Sequence, residues 1–350
     1  MTLEQVWTDE VDSYLAALER GDRGAALGQV RALRGEGHDV LTLIQRLLAP
    51  AQLRVGELWV SDAWSVAQEH AATAISESVL TSLAVERELR ETEVPADAPT
   101  LIVSCVEQEW HALPALMVTE HLRAEGLAVS YLGANSSAQG LVRHVHDLGP
   151  RAVLLSCSLS AFLPLVRRQV EAVRETGTPV VVGGAAFDLD GRRAAILGAT
   201  GFATSATGVV ELVRRLPDAV PPAPPLTHPG ADEAFVVFGG RETLADDIER
   251  RLLARLTGEG VDLDRGGEPT WLRVLDDQLP HLVGSVAGAL VTDDPAIIRH
   301  ALGWATAVLE HRDAPPAVGP ALREALRGSL HQLPEASRML ADAQAAPPAR

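Results

Sequence analysis

The chain has 350 residues, 47% of them hydrophobic and 22% charged, which suits two or three packed domains. Thirty Lys and Arg against 47 Asp and Glu leave a formal charge of −17, a poor match for DNA, RNA or an anionic lipid surface. No apolar run approaches the roughly 20 residues of a membrane span and no basic leader opens the chain, so a cytoplasmic protein that touches neither membrane nor nucleic acid is expected.

Residues 1–90 read as a four-helix bundle. In VDSYLAALERGDRGAALGQVRAL apolar positions recur every three or four residues, and Gly21 and Gly24 mark a break between two helices. LTLIQRLLAPAQLRVGELW and SVAQEHAATAISESVLTSLAVEREL supply two more, and helices of this length pack as a bundle. Glu91–Pro99 is a short polar linker.

From residue 98 to 216 the period changes. LIVSCVE, LAVSYLG, AVLLSCSLS, PVVVGGAAF and ILGATGFAT alternate with helical stretches and end in GVVELVRRL. Apolar strands alternating with amphipathic helices predict a Rossmann-like, doubly wound parallel sheet. Ligands in such folds sit at the carboxyl ends of the strands. Cys105 and Cys157 fall inside these runs and read as small buried residues of a reducing compartment.

Residues 217–230 (PDAVPPAPPLTHPG) hold six prolines and form a semi-rigid linker. Residues 231–341 are helical in pattern throughout, through TLADDIERRLLARLTG, WLRVLDDQLPHLVGSVAGAL, DPAIIRHALGWATAVLEHR and AVGPALREALRGSLHQL. The tail AAPPAR is expected to be disordered.

The chemistry lies just after the strands. Glu109-Trp-His111 follows the first, and neutral imidazole is a good transition-metal ligand. Glu109 can hold the other ring nitrogen and so fix the tautomer. Ser156-Cys-Ser-Leu-Ser160 follows the third strand, and Gly183-Gly184 follows the fourth, where backbone can approach a ligand closely.

Together these residues resemble the cobalamin-binding domain family, whose pattern is Asp/Glu-x-His-x-x-Gly, then Ser-x-Leu, then Gly-Gly. The resemblance implies that His111 is the lower cobalt ligand. It also implies that the displaced nucleotide tail runs past Ser156, Ser160, Gly183 and Gly184. Pro114 and Ser158 depart from the pattern, standing where the family has Gly and Leu. In the bundle, Trp59 followed ten residues on by Glu69-His70 is similar to cobalamin-dependent photoreceptors of the CarH type. There the tryptophan covers the upper corrin face, and the Glu and His line the space around the adenosyl group. Val60 stands where many of those receptors carry a second cobalt-binding His, which leaves His70 as the nearest substitute.

The whole order of domains resembles the photocobilins, which pair cobalamin with biliverdin in a globin-like all-α domain. That resemblance implies a noncovalent bilin, because no cysteine follows residue 157. Arg273 and Arg299 are the candidates for its propionates, His281 and His300 for its pyrrole nitrogens, and Trp304 lies on the same helix face as His300.

A light sensor carrying adenosylcobalamin and biliverdin is therefore expected, with a second copy or an effector protein as output. The alternatives are a corrinoid carrier for methyl transfer and an interaction module that kept only the fold. No Ser-His-Asp order, P-loop or paired-carboxylate motif points to an enzyme.

Overall fold

The structure, a computed structural model, describes residues 3–88, 100–261 and 269–345. The expected linker at 91–99 and nearly all of the expected tail lie outside the described residues.

The first part is the expected bundle: α1 (Leu3–Glu19), α2 (Arg23–Gly35), α3 (Val40–Leu43), α4 (Ala49–Val60) and α5 (Val66–Glu88). Gly21, at φ +65°, turns the chain between the first two helices. Asp22 then caps α2 by accepting from the Ala25 N–H at 2.9 Å, and Asp39 caps α3 by accepting from Thr42 at 2.7 Å. Between α3 and α4 the chain makes one π turn, Ile44–Leu48. Pro50 explains it: lacking an N–H, proline cannot complete the regular ladder, and the chain widens just before it. Tyr14, Leu43, Leu47, Leu80 and Leu83 form the bundle core, which continues onto Leu113 and Met117 of the next domain.

Five parallel strands follow: β1 (Thr100–Cys105), β2 (Ala128–Gly133), β3 (Ala152–Ser156), β4 (Val180–Gly183) and β5 (Gly201–Phe202). Their order is β2-β1-β3-β4-β5. Leu101–Val103 lie in register with Ala152–Leu154. The order reverses at β1 and β3, which opens a crevice at their carboxyl ends. The connecting helices are α6 (Ala112–Ala124), α7 (Ala138–Leu148), α8 (Leu163–Arg174), α9 (Arg192–Ile196) and α10 (Ala206–Val213). Successive strand residues face opposite sides of the sheet. Leu101, Val103, Leu154 and Val181 pack toward α6 and α10, and Ile102, Val153, Leu155 and Val182 toward α8.

The last part is helical: α11 (Gly230–Gly239), α12 (Arg241–Gly258), α13 (Thr270–Thr292), α14 (Ala296–Glu310), α15 (Val318–Ser329) and α16 (Pro334–Ala345). It shares one continuous apolar core with the α8 face of the sheet. The contact is backbone to backbone. A Cβ on Gly288 of α13 would stand 2.2 Å from the Ser160 carbonyl oxygen, and one on Gly284 2.9 Å from the Ala161 Cβ.

The proline-rich segment does not span free space. Arg167, 1% exposed, donates to the Pro224 carbonyl at 2.7 Å, and Arg174 donates to Pro221 at 2.9 Å. The segment is a strap fastened along α8. Among the described residues no helix is long and apolar enough to cross a membrane.

Candidate functional site

The loop after β1 is built around a buried carboxylate. Glu109 is fully buried, and its Oε2 accepts from the backbone N–H groups of Ser158 at 2.7 Å and Leu159 at 3.2 Å. Its Oε1 accepts from the His111 backbone N–H at 3.0 Å and pairs with His111 Nδ1 at 2.5 Å. Burial works to raise the Glu109 pKa, but the hydrogen bond and charge of His111 outweigh it, so the carboxyl sits below its ordinary value. The same hydrogen bond raises His111 against the opposing effect of burial. Gln108 takes a left-handed φ of +67°, and its N–H is held by Asn135 Oδ1 at 2.9 Å. The result is an imidazole fixed through Nδ1 whose Nε2 has no partner among the described residues and whose side chain is 55% exposed. That is the arrangement of a histidine ready to ligate a metal, with its orienting partner in place.

Beside it a cavity of about 440 Å³ enters the domain between the sheet and helices α6 and α10, well inside the size range of small-molecule sites. Ser156, Gly183, Gly184 and Pro114 line it, so the proline at the departing position borders the slot without closing it. Gly184 has a second reason to be glycine: at φ +111° a Cβ would stand 2.3 Å from the Cys157 carbonyl oxygen. Ile44, Gln45 and Ala49, from the π turn and its flank, close the outer end. Ser160 does not line this slot. Its hydroxyl lies 3.1 Å from that of Ser285 on α13, in another cavity. Cys105 and Cys157 are buried and free, and burial pushes the Cys105 thiol up to about 12.

Glu69 and His70 pair with each other, and the Thr73 hydroxyl donates to Glu69 at 3.0 Å. The charge of the Glu69 carboxylate adds slightly to the raising of His111. Trp59 has partners that no local pattern could announce. Its ring stacks on Trp304 of α14 at 5.6 Å and 27°, with the Arg312 guanidinium 5.1 Å from its centroid. Arg312 also donates to the carbonyls of Trp59 at 2.8 Å and Val60 at 3.3 Å, and pairs with Asp62 at 3.4 Å.

The structure divides the proposed bilin residues. His281, His300 and Trp304 line one cavity of about 420 Å³ with Ser158, Ser160 and Arg193, at the junction of α13, α14 and the β3 loop. The Arg193 guanidinium in that cavity is engaged by Asp294 at 2.8 Å. Burial lowers the His281 pKa, helped by nearby His111. Arg299 reaches a neighbouring groove with His300 and Arg323, and its Nε has no partner among the described residues. Arg273 is exposed at the start of α13 and lines neither cavity. As a propionate ligand it is set apart from the other four by the direction in which α13 runs.

Three relationships bear on identity. Residues 99–214 match the family described as B12 binding domain, and residues 10–84 match a second family of that description. The HTH-type transcriptional repressor CarH of Myxococcus xanthus is 32% identical over 149 residues, 42% of this chain and 48% of that protein. The chain thus spans about half the length of that relative. The monomethylamine corrinoid protein of Methanosarcina barkeri shares the fold at TM-score 0.50 and 17% identity, over 59% of this chain and 97% of that one. The residues present fit a corrinoid: an oriented imidazole with a free Nε2, a slot beside it, and a facing helical cap. The helical cap and the Rossmann-like domain thus each match a B12 binding domain family, and together they resemble part of CarH.

Proposed function

We propose that the chain is a cobalamin-dependent light sensor that uses adenosylcobalamin, with noncovalent biliverdin as a second chromophore, and that its role is signalling rather than catalysis. The observation that carries this reading is the clamp of Trp304 and Arg312 on Trp59, which ties the end of α4 in the helical cap directly to the C-terminal helices. Bound adenosylcobalamin supplies a weak cobalt–carbon bond that visible light cleaves. The chain does the rest. His111 would hold the cobalt through Nε2, because Glu109 keeps its Nδ1 occupied. Glu69 would accept from ribose hydroxyls of the adenosyl group, and Trp59 would screen that space from water. Loss of those contacts frees Trp59 to repack, and its repacking moves Trp304, a wall of the second cavity. Differential contacts of Trp59 in the two states supply the driving energy. The output is a changed surface offered to a second copy or an effector protein.

A corrinoid carrier needs an upper face open to a methyltransferase, and the clamped Trp59 speaks against it. The test is absorption spectroscopy of protein mixed in darkness with adenosylcobalamin and biliverdin, then lit with green light. A corrinoid spectrum that converts on illumination, with a red band from biliverdin, is expected. Corrinoid binding with no light response and no red band would favour the carrier. No corrinoid binding would sink both.

A further inference from the structure

His121 lies on the wall of the slot beside His111 and is 3% exposed. Among the described residues nothing hydrogen-bonds either ring nitrogen. Helix α6 places it near Met117 and Val118, facing a sheet wall of Val103, Leu154 and Val181, with the hydroxyls of Ser205 and Thr207 elsewhere on the lining. Burial holds the imidazole below its usual pKa, with Glu125 pulling weakly the other way. The ring is therefore neutral at physiological pH, one nitrogen donating and the other accepting. With no partner for either nitrogen among the described residues, His121 has a donor and an acceptor to offer to whatever fills the slot it lines. The fully buried side-chain atoms without a partner among the described residues, His228 Nδ1 and Arg299 Nε, do not border this slot.

What would fit is flat, mostly apolar and equipped with one ring nitrogen. We propose that His121 recognises the heterocyclic base of the corrinoid's nucleotide tail, through a hydrogen bond to the base nitrogen that is set free when His111 takes its place on cobalt. This inference rests on the cobalamin reading and makes His121 a specificity-determining residue. The chain then tests two things about a corrinoid: that cobalt accepts His111, and that the tail carries a nitrogen base.

The experiment is a dark binding titration of the full chain, followed by tryptophan quenching and the visible spectrum, with three corrinoids. These are cobalamin, cobinamide (which has no tail), and a cobamide whose lower base is a phenol without a ring nitrogen. Wild type should bind cobalamin tightest. His121→Leu should weaken cobalamin by about tenfold, the worth of one buried hydrogen bond, and leave cobinamide unchanged. His121→Gln, which keeps a donor and an acceptor, should recover part of the loss. The unfolding midpoint of the corrinoid-free His121→Leu protein should stay close to wild type, because no hydrogen bond of the folded chain is lost.

Equal affinity of the two cobalamin complexes would overturn the inference, as would equal losses for cobalamin and cobinamide. If His121→Leu fails to fold, wild type alone decides: phenolic cobamide bound as tightly as cobalamin overturns it. Wild type that does not distinguish cobalamin from cobinamide shows instead that the slot takes no tail. Wild type that binds no corrinoid refutes the underlying reading as well.

Discussion

Removing Arg312 should undock the cap from the C-terminal helices. Its guanidinium, 3% exposed, donates to two carbonyls at the end of α4, lies over the Trp59 ring and pairs with Asp62. Each hydrogen bond from a charged donor is worth about 1.5–3 kcal/mol net, and the cation–π contact about 0.5–2. Against this, the Trp59 carbonyl keeps the N–H of Asp62 at 3.1 Å, and water can reach the vacated space. A loss of about 3 kcal/mol is expected for R312A, which shifts the docked-to-undocked ratio roughly a hundredfold. Hydrogen exchange at residues 57–62 reads that ratio directly, since local opening sets amide exposure. R312A should exchange these amides faster while the strand amides of β1 and β3 stay protected, and R312K should restore part of the protection. Unchanged exchange at 57–62 in a folded R312A protein would show that the cap is held elsewhere and would remove the proposed signalling route.

The histidine of corrinoid-free protein offers an acid–base check. His111 is raised by Glu109, so the stability of that pair is fully present below about 6.5 and is lost as pH rises through the higher folded value. In Glu109→Gln the His111 resonance should titrate lower than in wild type by NMR; an unchanged midpoint would mean that the pair is not formed in solution. Gly184→Ala forces a Cβ against the Cys157 carbonyl at a φ that L residues avoid, and should cost about 3 kcal/mol in urea unfolding. A wild-type midpoint for that variant would refute the close approach. Gly288→Ala should prise α13 from the Ser160 turn, so that limited proteolysis cuts the strap at 217–229 sooner; equal cleavage rates would contradict the packing.

What could be read from the sequence follows the range of each interaction. The Glu109–His111 pair lies within one loop, so the pairing and its place after β1 were both legible. The strands announced themselves because both faces of the sheet are covered. Gly183-Gly184 stands at the end of β4, and part of the reason for glycine there is the backbone of Cys157, which only the β3–β4 register reveals. Ser160 follows Ser156 by four residues but turns toward α13, because the short helical turn there changes which way each side chain faces. Trp59 was read as a corrin cover and Trp304 as a bilin neighbour; that they stack on each other depends on how α14 crosses α4. His121 carried no signal at all, since a single histidine in a helical pattern is ordinary until its surroundings are known.

The strap bears on how such a protein could be recombined. A chain ending near Leu216 would strip Arg167 and Arg174 of carbonyls they now hold and would bare the apolar face of α8. The C-terminal helices are thus no cassette to be exchanged at a proline-rich seam. Grafting a different output onto this cobalamin unit would require carrying residues 217–229 along as part of the unit, and supplying a new helix with glycines where Gly284 and Gly288 now meet the Ser160 turn.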